Sequence, residues 1–287
     1  LAVWIVFEKI IKLKCFFNFF IKITSFKSEF LKFAILFFNI ILFLLSFTGI
    51  ICSILWGFSQ NWYFPNFFPN DLNINGFLSF YYQNKSLILI SIFIPLIVSL
   101  LSISLTIIWV ELLEYLKIKK NQFEWIIFTP LFIPQISFLI GIQSFITLFN
   151  YNSFLIPLIF VQLFYVIPYC FIILAPALRE VKLDYIKVAS SLGKNRIDRL
   201  FKIKIPLVLP SLLTSFAIGM IVSFALYVPV YFIGAGRVTT LTVEALNLAM
   251  SGSKQDLGIA TFFQILFPTL LLFTIAFINR KTIKWQI

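Results

Sequence analysis

Histidine does not occur among the 287 residues, cysteine occurs three times (Cys15, Cys52, Cys170), and charged side chains make up only 12%. The first absence removes an imidazole general base and the commonest zinc ligand, and the second leaves no paired disulfide framework. The isolated cysteines stand in apolar runs and read as packing residues. Scarce charge excludes an ordinary soluble domain, because a chain that is 61% hydrophobic with 38 Phe has too little polar surface to cover a core. A phosphate-binding loop is missing too: Gly193-Lys194 is followed by Asn195, and Val188 stands five residues before Gly193. The pattern Gly-x4-Gly-Lys-Ser/Thr, which aims backbone amides at phosphates, is therefore not met, and the chain is read as no enzyme.

What is present is apolar sequence in long blocks. Six segments, near 33–58, 86–112, 125–149, 154–178, 206–232 and 257–279, are long and apolar enough to cross a membrane, which takes roughly 20 helical residues. The backbone must satisfy its own hydrogen bonds in lipid, so each is read as a helix despite its Phe and β-branched residues. The expected fold class is an all-α membrane protein of six transmembrane helices, with an arm at 1–32 and a transmembrane domain over 33–287. Within the arm, Lys9, Lys12, Lys14, Lys22 and Lys27 interrupt short runs of Phe and Ile. That pattern fits a helix lying in the membrane interface and lacks the small-residue site of a cleaved signal peptide. Leu1 in place of Met reads as a non-AUG start, a processed end or a fragment of something longer. Ten prolines lie in or beside the spans, among them Pro95, Pro134, Pro168, Pro229 and Pro268, and are read first as kinks in packed helices.

The formal net charge of +12 would fit a nucleic-acid partner if the basic residues shared one face. They do not. Twenty of the 23 Lys and Arg fall in the arm, in the 113–124 and 179–205 connections and in the tail, leaving Lys85, Arg237 and Lys254 for the other side. The excess of positive loops places both termini in the cytoplasm, and the charge is a topology signal with no nucleic acid involved.

The longest basic connection, 179–205, is more than a connector. Tyr185, Val188, Ala189 and Leu192 recur at helical spacing behind an acidic Asp184, and Gly193 can end that helix in a left-handed conformation. Asn195 is placed to cap a second helix carrying Ile197, Leu200 and Phe201, and Pro206 is placed to open the next span. The expected result is a helix-turn-helix under the membrane, with an apolar ridge framed by Lys187, Lys194, Arg196 and Arg199 for docking on another protein.

At these residues the sequence resembles the inner-membrane permease subunits of binding-protein-dependent ABC importers. The family signature is a cytoplasmic Glu-Ala-Ala, three residues, Gly, nine residues, Ile-x-Leu-Pro. Ala189 stands for the second Ala, Gly193 for the Gly, and Ile203, Ile205 and Pro206 for the Ile-x-Leu-Pro, while Lys187 replaces the Glu and Val188 the first Ala. The resemblance covers roughly 85–280 and implies a five-helix core preceded by an extra N-terminal span. It also implies an ATPase-coupling role for Asp184, Tyr185, Lys187, Val188, Ala189, Leu192, Gly193, Ile203, Ile205 and Pro206. The implied partners are ATP-binding cassette ATPase subunits that bind ATP and Mg, a second permease subunit, an extracytoplasmic solute-binding protein and a small solute; no cofactor is expected in this chain. Thr240-Leu241-Thr242-Val243-Glu244 resembles an outer Thr-Leu-Pro-Val stretch of the same family, and Phe232 to Arg237 looks more loosely like thiamine-type permeases, some of them fusions of two halves.

The rival reading is an ion-coupled secondary carrier, which normally needs a carboxylate or His inside the membrane. No span has one near its centre; Glu111 and Glu114 lie at the end of the second span and are expected to form a solvated pair near Lys117 and Lys120. An ion channel, the third option, would have no need of the 179–206 loop. Polar candidates for a solute path are Gln135, Gln143, Gln162, Tyr165, Tyr169, Ser223 and Tyr227, any of which can instead bond across helix contacts.

Overall fold

The computed structural model describes residues 29–60, 62, 66, 68–69, 71–116, 123–148 and 154–284. The interfacial helix expected in the arm lies outside them, as do Lys117 and Lys120. The chain divides into two compact units, Leu1–Cys52 and Ser53–Ile287. In the first, helix α1 (Glu29–Phe58) begins, with exposed Phe, Leu and Ile around its circumference. Its polar side chains Asn39 and Thr48 turn back onto the carbonyls of Ile35 and Leu44, as lipid requires of them.

In the second unit follow α2 (Asn75–Gln83), α3 (Lys85–Tyr115), α4 (Glu124–Phe132), α5 (Gln135–Leu148), α6 (Leu155–Glu180), α7 (Leu183–Ser191), α8 (Arg196–Leu207), α9 (Leu209–Ala225), α10 (Tyr227–Gly234), α11 (Leu241–Ser251) and α12 (Lys254–Lys284). Among the described residues four helices, α1, α3, α6 and α12, are each long and apolar enough to span, and up to six spans result when the bent pairs α4–α5 and α8–α9 each count as one. The fold is all-helical and membrane-embedded.

Two of the expected spans are not single helices. The segment 125–149 is α4 and α5, bent by 98°; Ile133 precedes Pro134 and takes the extended conformation (ψ 132°) that a pre-proline residue favours. The segment 206–232 fails at both ends. Pro206 lies inside α8, the chain turns 79° at Val208, and α9 begins with Pro210 in its first turn, where the missing N–H costs nothing. At the far end Leu226 is extended (ψ 94°) and α10 starts as a separate helix. Two stretches that fall between the expected spans also hold helices, α2 after the first span and α11 before the last.

The core is the crossing of α3, α6 and α9. Small and polar residues let the backbones approach: Cys170 Sγ lies 3.7 Å from the Ser215 carbonyl, Ser215 Oγ donates to the Cys170 carbonyl at 3.3 Å, and Ser99 packs against Gly219. Around this seam lie Ile94, Val98, Leu158, Val161, Val166 and Leu174, all buried. A second cluster gathers Phe80, Leu87, Leu241, Ala245, Ile259 and Ala260 at one end of the bundle. Lys85 begins α3 at that end, Arg237 lies over the Phe154 ring at 4.2 Å, and Lys254 over Trp56 at 5.9 Å. These are the three basic residues left out of the four basic segments.

Candidate functional site

At the other end of the bundle, the 179–205 connection folds as two short helices. Helix α7 ends in a Schellman arrangement: Gly193 has φ +74°, its N–H reaches the Ser190 carbonyl at 3.0 Å, and the Lys194 N–H reaches the Ala189 carbonyl at 3.1 Å. Asn195 stands at the start of α8 with extended backbone, but its side chain makes no capping bond; its carbonyl accepts from the Arg199 N–H instead. Tyr185, Val188, Leu192, Ile197 and Phe201 are exposed together as an apolar ridge, Leu192 at 73% and Ile197 at 72%. Ala189, assigned to that ridge by its spacing, is buried, so it belongs to the inner face of α7. Lys187 points to solvent and lies 3.9 Å from Asp184, an exposed pair of little energetic weight.

The inner face of α8 carries charge. Lys204 is buried and its ammonium binds Glu111 Oε1 and, at 2.7 Å, Glu114 Oε2. Arg196 adds an ion pair with Glu111 at 3.5 Å, a bond to the Glu111 carbonyl, and a stack on Tyr115 with 4.8 Å to the ring centre. Of the pair expected to be solvated, Glu111 is largely covered, its side chain 14% exposed, while Glu114 stays exposed at 41%; both take partners from α8, 85 or more positions away. The α-helical period also hides Lys204. It stands seven residues after Ile197, on the ridge face of an unbroken α-helix. Residues Leu200–Lys204 instead form a π-helical turn, closed by the Ile205 N–H on the Leu200 carbonyl, and the wider turn rotates Lys204 inward. Ile203 and Ile205 flank it, half-buried. Beside this network Arg179, at the end of α6, pairs with Glu124, at the start of α4, at 2.7 Å. The 113–124 and 179–205 connections, assigned to one side by charge, therefore meet at one end of the bundle.

The polar path candidates do not form one site. Gln162 is buried and accepts from Ser223 Oγ at 2.5 Å. They border a cavity of about 10 Å³, also lined by Ser91, Thr240 and Thr242, where Ser91 Oγ receives the Leu241 N–H at 2.8 Å. Gln264 Nε2 donates to the Leu241 carbonyl at 2.8 Å, which pins the start of α11 from two sides. The Tyr165 hydroxyl is buried with no hydrogen-bond partner. Gln143 lines a separate cavity of about 500 Å³ with Tyr231, Thr239 and Asn247. Gln135 is half-buried at the start of α5, and Tyr169 and Tyr227 are exposed. Among the described residues no group of three His, Cys, Asp or Glu is placed to hold a metal.

Residues 103–283 match the family described as binding-protein-dependent transport system inner membrane component. The chain belongs to that family. The permease is also 27% identical, over 202 residues, to the inner membrane ABC transporter permease protein YnjC of Escherichia coli (strain K12); the match takes in 70% of this chain and 38% of YnjC. The chain thus spans well under half the length of that curated relative. Among solved structures, a chain from the crystal structure of a bacterial ABC transporter involved in the import of the acidic polysaccharide alginate superposes with a TM-score of 0.58. It covers 91% of this chain and 98% of the other at 16% identity, which is a likeness of fold. The permease is a transport component of the inner membrane, not an enzyme, and crosses that membrane several times. The ion-coupled carrier is left without support.

Proposed function

We propose that this permease carries a small solute into the cell, driven by ATP hydrolysis in separate ATPase subunits that seat the Tyr185, Val188, Leu192, Ile197 and Phe201 ridge in a groove. The ridge is the observation that carries the reading. Five large apolar side chains lie exposed on two short helices at the basic end of the bundle, and an apolar patch rimmed by charge marks a protein contact. Both termini lie on that cytoplasmic side, by the distribution of Lys and Arg. Closure of the ATPases moves the ridge and rocks the α3, α6 and α9 bundle between inward and outward access. A second permease subunit, the same chain or a companion, completes the path, and an extracytoplasmic solute-binding protein meets the α2 and α11 end. Lys187 stands where the family has Glu, so the groove answers it with an acidic or neutral residue.

The test is Gly193→Val in the complete transporter. A β-branched residue is strained at φ +74°, so the turn between α7 and α8 is lost while the bundle stays folded. Stimulated ATP hydrolysis should disappear with thermal stability little changed; full stimulation in this variant contradicts the docking role.

A further inference from the structure

The four-charge network at Glu111, Glu114, Arg196 and Lys204 is absent from the family signature, whose Ile-x-Leu-Pro leaves the position of Lys204 open. Helix α7 joins α6 directly through Val181 and Lys182, and two further routes lead from α8 into the bundle. One is covalent and passes through Val208, where α8 and α9 meet at 79°. The other is ionic. It runs from the inner face of α8 to the last two turns of α3, which has no basic residue of its own in its last turn. The cations of α8 therefore also supply the positive charge that the C-terminal end of α3 favours. The contacts are buried at Lys204, shared between two carboxylates, and reinforced by the Arg196 stack on Tyr115. Two plus and two minus charges close the cluster with no net charge, and loss of the carboxylates would leave the Lys204 ammonium buried and unpaired.

We infer that Lys204 and Arg196 are positioning residues that clamp α8 to the end of α3, so that movement of the loop is delivered to α3 by this clamp as well as to α9 through Val208. Helix α3 lines the central seam against both α6 and α9, and a displacement entering there reaches the whole bundle. The inference rests on the proposed ATPase docking for its functional meaning, but the clamp itself is a property of this chain.

Hydrogen exchange in lipid nanodiscs tests both. In the full chain alone, Lys204→Met should speed exchange in 196–207 and 109–116 together, and the conservative Lys204→Arg, which keeps a cation between the two carboxylates, should hold both segments near the wild-type rate. Unchanged exchange at 109–116 in Lys204→Met overturns the clamp. In the complete transporter, Mg-ATP with orthovanadate should alter exchange at 196–207 and 109–116 in the wild type. The same addition in Lys204→Met should alter 196–207 and no longer reach 109–116, with Lys204→Arg keeping that response. A response at 109–116 that survives Lys204→Met overturns the lever. No nucleotide response anywhere in 183–207 of the wild type removes the docking reading, while the first measurement still decides the clamp.

Discussion

Ser223 Oγ and Gln162 Oε1 lie 2.5 Å apart in the bundle interior, and that bond determines what Gln162 is available for. Sequence polarity alone made both residues candidates for a solute path. It cannot distinguish a glutamine that waits for a solute from one whose acceptor is engaged by a serine 61 positions away. Removing the hydroxyl by Ser223→Ala leaves a buried amide short of a partner, a loss of about 1–3 kcal/mol, which thermal unfolding in detergent should register. Adding Gln162→Leu should recover much of the loss, since replacing both partners by apolar groups removes the unmet bond. Gly193 is the opposite case. Its place after Leu192 at the end of an apolar repeat announced a left-handed residue, and the local hydrogen bonds that require one are all within six positions.

At the scale of elements, the apolar runs fall on helices, and the breaks within them were less legible. The bend at Ile133 has a sequence signal in Pro134. The one at Val208 depends on a π turn and on which of Pro206 and Pro210 opens the span, and no hydrophobic period records that choice. Contacts between helices also lie beyond periodicity. Gly258 at the start of α12 meets Ser53, Trp56 and Gly57 so closely that a Cβ would stand 2.2 Å from the Gly57 nitrogen and 2.6 Å from the Ser53 carbonyl oxygen. Gly258→Val should destabilise by about 1–3 kcal/mol or more, as overpacking does, and lower the melting temperature. Gly141→Ala on α5, where a Cβ meets nothing within 4 Å, should not. Equal effects of the two substitutions would show that the close approach does not hold these helices together.

For the whole molecule, sorting Lys and Arg among connections put 113–124 and 179–205 on one side, and Arg196, Lys204 and Arg179 now bind Glu111, Glu114 and Glu124 across that end. The segregation of charge was legible because long-range sorting needs no contacts. The pairing was not, because Lys204 and Glu111 are 93 residues apart and meet only once the bundle forms. The exposed ridge at this end is the place where, on the function proposed above, an ATPase seats. A photo-reactive residue placed singly at Leu192, Phe201 and, at the opposite end, Tyr231 tests it directly in native membranes. Illumination should join the Leu192 and Phe201 variants to an ATP-binding cassette subunit, identified by its own phosphate-loop peptide, and leave Tyr231 without that adduct. An ATPase adduct from Tyr231, or none from either ridge position, would contradict the account.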